Sequence, residues 1–259
     1  MSFHTHGRDA GWFRADVARP RAKLRLFCFP HAGGTSALYR GWGDALGPLV
    51  EVLAVVLPGR EERHAETLSP SFGPLIDDIA EAITQANDRP FAFFGHSMGG
   101  LVAFEVARAL RRAGAALPDQ LFLSASRPPH LWHEFEPLHL LPEDQFRRAL
   151  ARMGGTPAPL LADDDFMSIL SPMLRRDFKF VADYRHIAEP PLLSHMSVFG
   201  AVDDTVMPFR CLHEWQRHTA RRFSLQTFTG GHFYLSRARA VVLEVLTRKL
   251  VPVEELKVA

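Results

Sequence analysis

Six short apolar runs, each bounded by Gly, Pro or a polar turn and separated by helical patterns, restrict this 259-residue chain to few folds. The runs occupy residues 24–29, 50–57, 90–95, 120–126, 195–200 and 223–228. Segments of this length and composition fit strands covered on both faces, as in a parallel sheet. Between them, Leu75, Ile76, Ile79, Ala80 and Ile83 form one apolar stripe, and Leu101, Val102, Phe104, Val106, Ala109 and Leu110 form another. Residues 208–220 and 237–250 supply two more helical patterns. The alternation predicts an α/β fold, a mostly parallel doubly wound sheet with right-handed crossovers.

One interval breaks the rhythm. Residues 127–191 contain no convincing strand, and 140–153 and 163–184 read as helices. In the second, Phe166, Ile169, Leu170, Met173 and Leu174 follow the i, i+3, i+4, i+7, i+8 spacing of one helix face. A helical insertion after a sheet strand predicts a lid, with a rigid helical subdomain as the alternative. Residues 1–20 show no periodicity beyond Trp12-Phe13 and read as a loose arm whose aromatic pair docks on the body, so residues 1–259 are expected to form a single domain carrying that arm and the lid.

Composition narrows the function. With 30 Lys and Arg against 29 Asp and Glu, the formal net charge of +1 gives no global attraction to nucleic acid or an anionic membrane. Two cysteines make a disulfide framework unnecessary and a Cys-rich zinc site impossible. Residues 1–23 lack the apolar core of a signal peptide, and no stretch approaches the ~18 apolar residues of a membrane span. A soluble, cytoplasmic monomer without metal or cofactor is expected.

The sharpest motif is Gly95-His96-Ser97-Met98-Gly99, set between a strand and a helix. Glycines on either side of the serine allow a strained turn that lifts its hydroxyl above the sheet edge. Serine needs a base and the base an orienting acid. The order Ser97, Asp203, His232, with acid and base each on a loop after a strand, is that of α/β-hydrolases. Asp204 competes with Asp203; the G-x-x-D-x-x-V spacing from Gly200 to Val206 favours Asp203. His186, His213 and His218 lie in helical patterns and His130, His133 and His139 in the insertion, which favours His232 as the base. Pro30-His31-Ala32-Gly33-Gly34 follows the first run, where such enzymes place part of an oxyanion hole; the backbone amides of Ala32 and Met98 are the predicted donors. No Gly-Lys-Ser/Thr follows this loop, so a phosphate-binding Walker loop is disfavoured. Asp163-Asp164-Asp165 reads as a helix's first turn, Arg60 to Arg63 as a solvated loop, and Arg175, Arg176 and Lys179 as a solvated basic face.

At this point the chain resembles the stand-alone (type II) thioesterases that accompany modular polyketide and nonribosomal peptide synthetases. The matching stretches are L-F-C-F-P-H-A-G-G (26–34), L-P-G-R-E-E-R (57–63), G-H-S-M-G (95–99), S-A-S-R-P-P (124–129) and G-G-H-F (230–233). The likeness runs from about Leu24 to Leu250 and shows no departure at the triad or oxyanion positions. Animal medium-chain fatty-acid synthase thioesterases look similar. The resemblance implies an α/β-hydrolase fold with a helical lid, and hydrolysis of aberrant or stalled acyl groups from the phosphopantetheine arm of an acyl or peptidyl carrier protein. The length leaves no room for a carrier or condensing domain, which suits a separate editing protein. Phe166, Leu170, Met173 and Leu174 would line the acyl chamber. Triad chemistry alone leaves open a carboxylesterase, an acyltransferase of the same fold, or a non-catalytic carrier-binding module.

Overall fold

The computed structural model describes residues 11–66, 71–134 and 136–250. Seven strands form one sheet: β1 (Phe13–Ala15), β2 (Leu24–Phe29), β3 (Val50–Val55), β4 (Phe91–His96), β5 (Gln120–Ser124), β6 (His195–Ala201) and β7 (Phe223–Phe228). Their order is β1-β3-β2-β4-β5-β6-β7, with β1 antiparallel to β3 and every other pair parallel. From β2 the chain steps outward to β3 and then crosses back to β4. The order therefore reverses between β2 and β4, the crevice where open α/β sheets bind their ligands.

Alternation along the strands divides the core into two layers. Phe27, Phe29, Phe93, Leu121 and Val198 pack beneath α2 (Phe72–Ala86) and α3 (Met98–Arg112). Leu26, Cys28, Phe94, Phe122 and Phe199 face α1 (Trp42–Leu46) and α7 (Arg239–Leu250). Burial raises the Cys28 thiol well above its usual pKa, and both cysteines are free.

Between β5 and β6 lie α4 (Glu143–Met153), α5 (Ala158–Ala162) and α6 (Asp164–Ala182), with an apolar centre of their own around Phe146, Leu150, Met167 and Phe178. Asp163 caps α6 by accepting the Phe166 amide. Residues 209–218 form a 3-10 helix.

Three expectations change. Residues 13–15, read as part of a loose arm, form the antiparallel edge strand β1, pairing Phe13 with Val55 and Ala15 with Leu53. Trp12 is buried beside it beneath the Arg63 guanidinium, 3.6 Å above the ring. Residues 1–10 of that arm lie outside the described residues. The 60–63 loop is solvated only at Glu62: Arg60 and Arg63 are buried, and Glu61 accepts the amide and hydroxyl of Ser36. Nor is Arg175 a free surface charge. It donates to the His139 and Leu141 carbonyls and to Glu143, and lies 4.2 Å over Phe146.

Candidate active site

Ser97 stands between β4 and α3 with φ 53° and ψ −118°, a conformation that costs a non-glycine residue on the order of 1–3 kcal/mol. The surrounding glycines make the turn possible. A Cβ on Gly95 would fall 2.2 Å from the Gly99 carbonyl oxygen, and one on Gly99 would fall 2.0 Å from that of Phe29. The helix start can therefore press against both strands, and the Ser97 amide is anchored on the Ser124 carbonyl at 2.8 Å.

His232 follows β7 across Gly230 and Gly231, both at positive φ. Its Nε2 lies 3.0 Å from Ser97 Oγ, and its Nδ1 lies 2.8 Å from Asp204 Oδ2. The acid facing the imidazole is thus Asp204 and not Asp203. β6 ends at Ala201, and the turn after it sends the two neighbours in different directions. Asp204 points inward: its side chain is 1% exposed, and its Oδ1 accepts the Val206 and Met207 amides, each at 2.8 Å. Asp203 points outward and accepts the Gly230 amide at 3.0 Å, and the amides of Gly231 and Gly230 hold its carboxyl below the usual pKa. Motif spacing counts positions and cannot say on which side of a turn a side chain falls. The usable signal was the ability of an aspartate to accept amides two and three residues ahead, which suits Asp204 before Val206-Met207-Pro208.

Two more imidazoles surround the relay. His96 is wholly buried, its Nδ1 2.9 Å from Ser124 Oγ, which is itself 2.6 Å from the Tyr234 hydroxyl. Desolvation first, then His232 and His31, lower its pKa well below the ordinary value. Desolvation likewise lowers His31. Burial thus disfavours the cationic form of both rings.

A cavity of about 230 Å³ opens onto this relay. Ser97, Ala32 and Met98 lie at its polar end, and Leu150, Leu160, Phe166, Leu170 and Leu174 supply apolar wall. Met173, expected in that wall, is not among the lining residues; its methyl lies 4.0 Å from where a Cβ on Gly33 would sit. On α6 the lining positions run Phe166, Leu170, Leu174 and Phe178, four apart, with Val181 one turn further, and Met173 lies off that row. Neither the Ala32 nor the Met98 amide donates to a protein acceptor among the described residues, whereas the Gly33 and Gly34 amides are bonded to Asp177 and the His31 carbonyl. Unpaired donors beside a nucleophile suit an oxyanion. Sequence reasoning missed Arg60 and Asp177, which hold this loop. Among the described residues no cluster of three or more His, Cys, Asp or Glu is arranged to hold a metal ion, and no helix is long and apolar enough to cross a membrane.

A serine–imidazole–carboxylate relay at the switch point of such a sheet makes this chain a serine hydrolase of the α/β-hydrolase fold. It belongs to the thioesterase family, whose Thioesterase domain model matches residues 24–250. Over 239 residues it is 36% identical to the gramicidin S biosynthesis protein GrsT of Aneurinibacillus migulanus, covering 92% of this chain and 93% of that protein. RedJ, the thioesterase of the prodiginine pathway in Streptomyces coelicolor, shares its structure with a TM-score of 0.83 at 35% identity, over 89% of this chain and 91% of that one. BorB, the type II thioesterase of the borrelidin biosynthetic cluster, does so at 0.84 and 32% identity, over 96% of this chain and 100% of that one.

Proposed function

We propose that this thioesterase hydrolyses acyl thioesters on the phosphopantetheine arm of acyl or peptidyl carrier proteins, clearing aberrant or stalled groups from polyketide or nonribosomal peptide assembly. It would do so as a cytoplasmic monomer that a carrier protein docks on transiently. The observation that carries the reading is the apolar cavity ending at Ser97 and two unpaired amides. An acyl chain fits the wall, and its carbonyl meets nucleophile and donors together. The pathway relatives GrsT, RedJ and BorB support the choice of substrate class.

In the first half-reaction His232 Nε2 takes the Ser97 proton as Oγ attacks the thioester carbon. Asp204 holds the proton of Nδ1 and stabilises the imidazolium. The Ala32 and Met98 amides hold the tetrahedral oxyanion; losing one such donor typically costs on the order of 3 kcal/mol of barrier. The C–S bond breaks, His232 returns the proton to the departing thiolate, and the acyl group stays on Ser97. In the second, His232 takes a proton from water as its oxygen adds to the acyl carbon, and the Ser97–acyl bond breaks as His232 returns that proton to Ser97 Oγ, releasing the acid. The deciding experiment is intact mass spectrometry of carrier proteins loaded with different acyl units, before and after incubation. Loss of the acyl mass with the wild type but not with Ser97→Ala is expected. Retained turnover by Ser97→Ala, or untouched carriers alongside rapid cleavage of simple oxygen esters, would overturn the reading.

A further inference from the structure

A buried charge pair joins α6 to the His31–Gly34 loop, and the reaction as derived above makes no use of it. Asp177, on α6, is 1% exposed and Arg60 3%. Arg60 Nη2 donates to both Asp177 oxygens, at 2.7 and 2.8 Å. Asp177 Oδ2 also accepts the Gly33 amide at 2.7 Å, and Arg60 Nη1 donates to the Gly34 carbonyl at 2.8 Å. The contact is steric as well: a Cβ on Gly33 would lie 2.5 Å from Leu174 Cδ2, so the helix rests directly on the loop. His31 Nδ1 donates to the Ala32 carbonyl at 2.9 Å, and the Gly34 amide to the His31 carbonyl at 2.8 Å.

Burying two charges is a poor way to gain general stability, because well-packed apolar residues of similar volume often do as well or better. What a forked, charge-assisted pair supplies is direction. Here the direction falls on the peptide immediately after the Ala32 amide and on the carbonyl two residues further. The same helix presents Leu170, Leu174 and Phe178 to the cavity.

We propose that Asp177 and Arg60 are positioning residues that set the Ala32 amide against the substrate carbonyl and lock it to α6, so that acyl-chamber wall and oxyanion donor move as one unit. The proposal rests on the acyl-transfer reading of the site. It has a specific consequence for selectivity. An acyl group that pushes α6 outward draws the loop with it, so a poor fit raises the barrier to reaction as well as weakening binding.

The test compares Asp177→Asn, which keeps shape but loses charge, with Arg60→Lys, which keeps charge but loses the fork. Both are assayed on a ladder of acyl-pantetheine thioesters, with active sites counted by titration to completion with dimethyl fluorophosphonate. The expected result is a fall of about 10- to 100-fold in kcat per active site, with KM within about threefold and a narrower spread of kcat along the ladder. A purely structural pair would lower the melting temperature and the count of active sites while leaving kcat per site unchanged, and that result overturns the proposal. Should neither variant fold, hydrogen exchange on the wild type decides. The fluorophosphonate adduct puts an oxygen at the oxyanion position without filling the chamber, so it should slow exchange in residues 31–34 and also in 173–181. Protection confined to 31–34 overturns the coupling. An active Ser97→Ala would instead remove the nucleophile reading itself, so the two failures are distinguishable.

Discussion

The adjacent aspartates after β6 allow a clean comparison, because isosteric replacement of each has a different consequence. In Asp204→Asn, the Oδ1 that accepts the Val206 and Met207 amides can remain, so the turn should persist. The group facing His232 Nδ1 at 2.8 Å changes from an acceptor to an NH2 donor. Nδ1 must then accept, the ring proton moves to Nε2, and Nε2 can no longer take the proton of Ser97 at 3.0 Å. The imidazolium also loses its counter-charge. Unit charges about 4 Å apart at an effective dielectric near 20 attract by about 4 kcal/mol, or about three decades of rate at 1.36 kcal/mol per decade. With the tautomer error added, kcat should fall by about 10³- to 10⁴-fold, in line with the general behaviour of such triads. Asp203→Asn removes an exposed charge and keeps an oxygen able to accept the Gly230 amide, so kcat should stay within about threefold. Continuous thiol-release assays on an acyl-pantetheine thioester, with melting temperatures to confirm folding, give both numbers. If Asp203→Asn fell as far as Asp204→Asn, or if Asp204→Asn kept more than a tenth of the rate, the geometry of the relay would have been misread.

Two further outcomes follow from the cavity and from a histidine cluster outside it. Leu170→Trp should shorten the acyl chamber: displacing about two methylenes forfeits about 1.6 kcal/mol, so kcat/KM for long chains should drop about 15-fold more than for short ones. A uniform drop along the acyl ladder would count against the α6 wall. His218 packs against His130, with Nε2 to Nδ1 at 3.0 Å, and near His186, with Arg108 and Arg217 also raising the local potential and Glu214 beside His130. Burial first, then His130, His186, Arg108 and Arg217, push its pKa from 6.5 down to about 3. Unfolding therefore takes up a proton between those values, and stability present above pH 6.5 should be lost progressively as the pH falls toward 3. Melting temperatures of wild type and His218→Gln across pH 4–8 should converge in acid, and parallel curves would refute the assignment.

Much of this architecture was legible in the chain. Five of the six parallel strands leave apolar runs because both faces are covered, whereas the edge strand β7 is only partly buried; the elbow leaves paired glycines because a Cβ at either position would strike backbone. β1 left only the Trp12-Phe13 pair as a trace, since three residues are too few to establish a period and its pairing depends on β3. On α6, periodicity named Phe166, Leu170 and Leu174 but also took in Met173, which does not line the cavity, and Ile169, which is 78% exposed. Arg60 and Asp177 were the least accessible: a charged loop reads as solvated until the partner that buries it is known, and that partner lies 117 residues away.

The carboxylates around the site show why its free donors lie where they do. Loops at the mouth of a sheet leave amides without ladder partners, and each such amide could bind a negative charge. Here several are already occupied: Asp177 takes Gly33, Glu61 takes Ser36, Asp204 takes Val206 and Met207, and Asp203 takes Gly230. These bonds also tie the β6 loop to the β7 loop and the β2 loop to α6, so acid, base and oxyanion loop are braced by the groups that occupy their amides. The Ala32 and Met98 amides remain available beside Ser97. The proposed oxyanion hole is then defined by subtraction as much as by placement. A change that frees Gly33 would damage it in two ways at once, by loosening the loop and by offering the substrate oxygen a donor one residue out of register.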